Sequence, residues 1–161
     1  MSKVLLKQVK DINELSQRKS LFIIVCKVEG KWCKFIVDSG STDNLVSIEV
    51  IDKLNLKKTK HHVPYKVSWL QNGHQLLVNE QCEIDMQIGG YKDKVICDVI
   101  PMDACHILLG RPWQYDRNSK HDGRKNVYEL EKGGFKHKLM PLQVEDSWDK
   151  DNPKRILLSD K

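Results

Sequence analysis

Three apolar residues, Phe35-Ile36-Val37, run directly into Asp38-Ser39-Gly40-Ser41. A carboxylate at the end of a buried strand is costly unless something uses or pairs it. Gly40 permits a tight, closely approached backbone that a side chain would obstruct. Asp38 therefore reads as one half of a catalytic carboxylate pair. Two such groups near enough to share a proton do general acid–base work. One takes a proton from water while the other gives one to a carbonyl oxygen or a leaving nitrogen. Like charges that close cannot both ionise, so the pair titrates as a unit. The chain holds a single Asp-Ser-Gly, and a two-fold symmetric homodimer would supply the second carboxylate. Another apolar run, Val95-Ile96-Cys97, ends in Asp98. It continues as a strand without a small-residue-Gly turn, which argues against Asp98 as the partner.

The elements that must position Asp38 follow from pattern. Leu21 to Val28 is apolar and β-branched and predicts a strand; Glu29-Gly30-Lys31 is its turn, and Trp32 to Val37 the return strand. Asn44 to Ser47 predicts a short strand. Ser47 is a candidate N-cap for a helix carrying Ile48, Ile51 and Leu54 at helical spacing, with Asn55 as its left-handed terminator. Lys57-Lys58-Thr59-Lys60-His61-His62 reads as a solvated basic loop. Tyr65 to Leu70 and Gln75 to Val78 flank Asn72-Gly73, a strong hairpin signal. Cys82 to Ile88 and Tyr91 to Ile100 form a second hairpin around Gly89-Gly90, and Pro101 makes a turn. His106 to Leu109 is an apolar run closed by Gly110, and Arg111 to Asp116 a short helix with Pro112 in its first turn. Val127 to Leu130 and Phe135 to Leu142 are the last two strands. Many short strands, frequent turns and two brief helices predict an all-β barrel or sandwich.

The 161 residues suit one domain, with 40% hydrophobic and 30% charged residues. Residues 1–20 read as a flexible arm, 21–143 as the folded domain and 144–161 as a polar tail. No apolar run approaches a membrane span and Met1 to Lys10 has no signal core, so the expected location is intracellular and cytoplasmic, not secreted. The odd count of five cysteines, without Cys-x-x-Cys spacing, suits reduced core thiols better than disulfides or zinc. The net charge of +5 is scattered and lacks interleaved aromatics, which argues against nucleic-acid binding through this domain. Other chemistries lack their frames. There is no His-Glu-x-x-His, no Gly-x-Ser-x-Gly elbow around Ser39 or Ser41, and no phosphate loop. Cys105 beside His106 reads as a core cysteine.

Taken in order, Asp38-Ser39-Gly40-Ser41 after an apolar strand and the later Ile107-Leu108-Leu109-Gly110 resemble the retropepsin family, the aspartic proteases of retroviruses and LTR retrotransposons. The likeness extends through Leu109 to Arg117 and His121 to Asn126, which resemble the protease region of gypsy-type polyproteins of plant genomes, and covers about residues 17 to 143. The resemblance implies a retropepsin-like, closed acid-protease barrel, no metal or other cofactor, a homodimer, and an extended polyprotein segment as substrate. It implies Asp38 as catalytic acid/base, and Ser39 as a brace whose hydroxyl bonds across the dimer axis. Gly40 and Ser41 would support the turn, Gly40 letting substrate backbone lie close. Leu109-Gly110 would cross beneath it in a ψ-shaped arrangement. Trp69, Leu70, Asn72 and Gly73 would belong to a flap, with Met102 and Leu108 as candidate subsite walls. The alternative is a domesticated or decayed member that no longer cuts and acts as a dimerising, peptide-binding module.

Overall fold

The computed structural model describes residues 22–68, 75–103 and 105–141. Its first hairpin joins β1 (Phe22–Val28) to β2 (Lys31–Val37), in register from Phe22 opposite Val37 to Val28 opposite Lys31. Glu29 and Gly30 both take positive φ, 50° and 75°, the turn whose twist matches that of the flanking strands. β3 (Leu45–Ser47) leads into α1 (Ile48–Leu54). The Ser47 side chain accepts from Glu49 N, and Asn55 closes the helix in the left-handed region, as its sequence signals predict.

β4 (Thr59–Ser68), β5 (Gln75–Ile88), β6 (Tyr91–Ile100) and β7 (Ile107–Leu109) complete the main sheet. Its order is β1-β2-β7-β3-β6-β5-β4, and β1 pairs β5 again, so six strands close into a barrel and β4 continues from β5. The closed, mostly β barrel with two short helices in the described residues is the expected retropepsin-like architecture. α2 (Arg111–Asp116) follows β7 directly. A second sheet, ordered β10-β9-β8, is built from β8 (Lys120–Asp122), β9 (Val127–Lys132) and β10 (Phe135–Leu139). It seats on the barrel through Tyr128 against Phe22 and His137 against Tyr91.

Three segments differ from expectation. Gln75 to Val78 and Cys82 to Ile88 are one strand, β5, because Asn79-Glu80-Gln81 contains no breaker and the inward period of two runs on through Val78, Cys82, Ile84 and Met86. The basic stretch is only partly loop. From Thr59 it is the start of β4, pairing Gln81 and Glu80, with a register irregularity before Tyr65. β8 was not foreseen: its Lys120-His121-Asp122 is wholly exposed and polar and carries no alternation. The arm and tail lie outside the described residues.

The core has two lobes. Phe35, Val37, Val46, Ile107 and Leu109 belong to the larger cluster, which also takes all of the buried thiols except Cys105. Ile36, Leu45 and Leu108, on the opposite faces of the same strands, belong to the second. The plate β2-β7-β3 is therefore apolar on both faces, and its strands read as continuous hydrophobic runs. Such a plate does not tilt or slip without exposing one side or the other.

Candidate active site

Asp38 projects from the end of that plate. β2 and β7 run parallel, with Phe35, Ile36 and Val37 opposite Ile107, Leu108 and Leu109. β7 also pairs β3 antiparallel, Leu108 opposite Leu45. The Asp38 backbone N–H donates to Leu109 O at 3.0 Å, extending the ladder by one residue past the strand. The chain then turns, and Ser41 N donates back to Asp38 O at 3.1 Å. Inside this turn the Gly40 N–H donates to Asp38 Oδ1 at 2.8 Å. A Cβ on Gly40 would stand 3.2 Å from that oxygen, so glycine lets the carboxylate fold back over its own backbone. Asp38 is half-buried and Ser39 exposed, so the acid presents itself at the surface while its support is internal.

Ser41 is that support. It is fully buried and its hydroxyl donates to Asp43 O at 2.7 Å. Its carbonyl accepts from Arg111 N at 2.9 Å. The buried Asn44 side chain accepts from Gly110 N at 2.9 Å and Trp113 N at 3.3 Å, satisfying two of the free N–H groups at the start of α2. Gly110 lies so close to the turn that a Cβ there would meet Asp43 O at 2.3 Å and Ser41 O at 2.7 Å. The Leu109-Gly110 segment thus passes directly under the Asp38 turn, with backbone hydrogen bonds to it on both sides.

A second polar knot locks α2 to the barrel. Asp93 on β6 has a fully buried side chain that accepts from two of the three guanidinium nitrogens of Arg117, Nε at 2.8 Å and Nη2. It also accepts from Trp113 Nε1 at 3.1 Å and from the Tyr91 hydroxyl. Burial alone would push the Asp93 pKa up; the hydrogen bonds from Arg117, Tyr91 and Trp113 and the guanidinium charge overcome it and hold the pKa down. Asp98, in the same strand, is spoken for elsewhere. It accepts from the Tyr65 hydroxyl and from Gln81 Nε2 at 3.2 Å, and pairs with His61 at 3.1 Å.

His106, next to β7, is half-buried beside Lys34, whose backbone N–H it takes on Nδ1 at 2.9 Å. Burial first, then the charges of Lys34 and Lys53, push its pKa down to about 4, so it is a neutral acceptor at neutral pH. Cys105 is pushed up to about 12, chiefly by burial, and is an inert core thiol.

Of the residues singled out from sequence, Asp38, Ser39, Gly40, Ser41, Leu109 and Gly110 come together in one turn-and-strand assembly. Met102 and Leu108 are 5% and 1% exposed and sit in the second core cluster with Ile36 and Cys105. The expected flap residues Trp69, Leu70, Asn72 and Gly73 lie outside the described residues; the strands leading to them pair as far as Ser68 opposite Gln75. Asp93, Arg117 and Tyr128 carry no motif and were missed. The inward alternation of β9, Tyr128 then Leu130, was the one available signal that Tyr128 faces the barrel.

Comparison with known proteins agrees with this geometry. The fold is similar to the retroviral protease-like domain of Ddi1 from Leishmania major, at a TM-score of 0.56 and 14% identity, covering 78% of this chain and 97% of that one. A retropepsin-like aspartic protease from Rickettsia conorii aligns at a TM-score of 0.47 and 23% identity over 76% of this chain and 88% of that one. EIAV protease in complex with the inhibitor HBY-793 aligns at 0.44 and 13%, over 58% and 85%. No curated protein matches the chain in sequence. Residues 34–130 match the family described as the PEG10/RTL1 protease domain. That span opens in β2, takes in the Asp38 turn, the Gly110 crossing and the Asp93–Arg117 knot, and ends in β9. With more than half of its length inside that match and a retropepsin-like barrel around the Asp38 turn, the chain belongs to the PEG10/RTL1 protease domain family.

Proposed function

We propose that this chain is an aspartic endopeptidase that acts as a homodimer, with one Asp38 from each copy forming the dyad. The observation that carries the reading is the Asp38 turn itself. One carboxylate oxygen is fixed by Gly40 N, the other accepts no hydrogen bond among the described residues, and the turn is clamped between a doubly buried plate and the Gly110 crossing. In a dimer, two such turns facing each other across a two-fold axis share one proton. The ionised Asp38 then removes a proton from water as that water attacks the peptide carbonyl, and the protonated one donates its proton to the carbonyl oxygen. The first Asp38, now holding the proton from water, gives it to the leaving nitrogen while the second takes back a hydroxyl proton from the tetrahedral intermediate. Ser39, exposed beside the acid, braces the two turns across the axis. The substrate is an extended polypeptide bound in β-like pairing. The run Leu109 to Arg117 supports a retrotransposon polyprotein of the gypsy type as its natural source.

Replacement of Asp38 by Asn tests the reading. The parent should cut a peptide library at acid pH, with inhibition by pepstatin and a dimeric mass in sedimentation. The Asp38→Asn protein should keep its fold and its mass and lose all cleavage. Cleavage that survives the substitution would overturn the assignment.

A further inference from the structure

We propose that Asn44 is a positioning residue for the Asp38 turn, acting by capping α2 in place of that helix's own glycine cap. The inference deepens the endopeptidase reading above and rests on it for its kinetic arm. α2 begins at a residue that cannot cap it. Gly110 stands at the N-cap position and makes no side-chain cap bond. It must be glycine, because a Cβ there would meet Asp43 O and Ser41 O. The N–H groups of the first turn still need an acceptor. Asn44 supplies it from 66 residues earlier in the chain. Its Oδ1 accepts from Gly110 N at 2.9 Å and from Trp113 N at 3.3 Å. Trp113 occupies the N3 position, whose N–H a capping side chain ordinarily takes.

The backbone of Asn44 is committed elsewhere, so the side chain has to do this. Its carbonyl accepts from Asp98 N at 2.8 Å, on the side of β3 that pairs β6. β7 lies on the other side, where the pairing ends at Leu45 opposite Leu108. The amide oxygen takes Gly110 N as a further rung there. The turn from Asp38 to Asn44 is then held to the crossing at both of its ends. Asp38 N donates to Leu109 O at 3.0 Å, and Asn44 Oδ1 takes the N–H of the next residue, Gly110. The bonds of Asp38 and Ser41 to the crossing are backbone to backbone, and many sequences could make them. The Asn44 bond needs a side chain of one length with an acceptor at its end. Asn44 is buried, and an N–H left there without an acceptor bears its full desolvation cost. The amide nitrogen of Asn44 makes no hydrogen bond among the described residues. The oxygen is the part that the site uses.

The test compares Asn44→Ala and Asn44→Asp with Val50→Ala, a core truncation on α1 outside the turn. Asn44→Asp keeps an acceptor oxygen in either protonation state. On a peptide that the parent cleaves, kcat per folded molecule should fall about 10–100-fold in Asn44→Ala, with KM changed less than about twofold, because the acid is displaced and the substrate contacts are not. Asn44→Asp should keep kcat within about threefold of the parent, since aspartate and asparagine cap about equally well. Val50→Ala should lower Tm and leave kcat per folded molecule at the parent's value. Amide exchange gives a second arm that needs no turnover. In Asn44→Ala the Asp38 and Ser41 N–H groups should exchange faster, along with those of Gly110 and Trp113, and in Asn44→Asp they should not. Asn44→Ser, whose hydroxyl stops one bond short of Oδ1, replaces Asn44→Ala and is read the same way if the alanine variant does not fold. An undiminished kcat in folded Asn44→Ala, or a loss in Asn44→Asp as large as in Asn44→Ala, overturns the proposal. If the parent itself cuts no peptide, the endopeptidase reading fails separately, and the exchange arm then decides: faster exchange at Asp38 and Ser41 upholds the hold on the turn, unchanged exchange there overturns it.

Discussion

Gly110→Ala should damage the protein far more than one methyl group ordinarily does. The added Cβ would stand 2.3 Å from Asp43 O and 2.7 Å from Ser41 O, where ordinary contact begins at about 3.4 Å. Both opposing atoms are backbone, so no side-chain rotation relieves the overlap. The turn must retreat, and with it go the bonds from Arg111 N to Ser41 O and from Gly110 N to Asn44 Oδ1, each 2.9 Å. Overpacking of this kind costs ~1–3 kcal/mol. Two strained or broken hydrogen bonds add about 1 kcal/mol each. A loss of about 3–5 kcal/mol follows, a large share of the ~5–15 kcal/mol that a domain has in total. Urea unfolding followed through the fluorescence of the buried Trp113, which sits on the same Asn44 side chain, measures it. Gly90→Ala is the control, because a Cβ there meets nothing within 4 Å and its φ is not positive. It should leave stability equal or raise it by about 0.4–1 kcal/mol. If Gly110→Ala lies within about 1 kcal/mol of that control, a margin well below the least cost expected of overpacking with two lost bonds, the close crossing under the Asp38 turn is wrong.

Arg117→Met would leave the Asp93 carboxylate buried without its cation and should cost about 3–5 kcal/mol at pH 7, read by urea unfolding. Because the native pairing lowers the Asp93 pKa, its stabilisation is present above the unfolded carboxylate value of about 3.9 and is lost as pH falls through the folded value, so parent and variant should converge on acidification. His106 has the same sign at higher pH. Its folded pKa of about 4 lies below the unfolded ~6.5, so the unfolded chain takes up the proton first and stability falls as pH drops from 6.5 towards 4. The full shift corresponds to about 3 kcal/mol, nearer 2 after allowance for its partial exposure. His106→Asn, which keeps an acceptor for Lys34 N, should flatten that stretch of the pH–stability curve.

The parts legible in the sequence share one property: their cause lies within a few residues of their effect. Ser47 and Asn55 cap α1 through bonds to their own neighbours, and Glu29-Gly30 turns because of its own φ angles. Asp38 stood out because an apolar strand, an acid and a glycine are contiguous. The unforeseen parts are set by what the barrel brings alongside. Asp93 and Asp98 are both buried acids of β6, on opposite faces of the strand. Only the topology decides that one meets Arg117 and Trp113 while the other meets Tyr65, Gln81 and His61. Tyr128 likewise reads as one more strand aromatic until the second sheet folds back over Phe22. The length of β5 was hidden because three polar residues in a row suggest a loop, although none of them breaks a strand.

The Gly110 crossing also fixes when the acid can become competent. Asn44 and Gly110 are 66 residues apart in sequence, and the parallel β2–β7 pair needs β7 in place before it exists. Closing so long a loop costs entropy before any contact repays it, and parallel pairing of this range is intrinsically slow to form. During synthesis Asp38 leaves the ribosome before β7 and the start of α2, and its turn has no floor until they have followed. A nascent chain therefore carries its carboxylate for most of the domain's length without a shaped site around it. The timing of any cut is written into the order of the strands: within the domain the acid is made well before the strand that organises it.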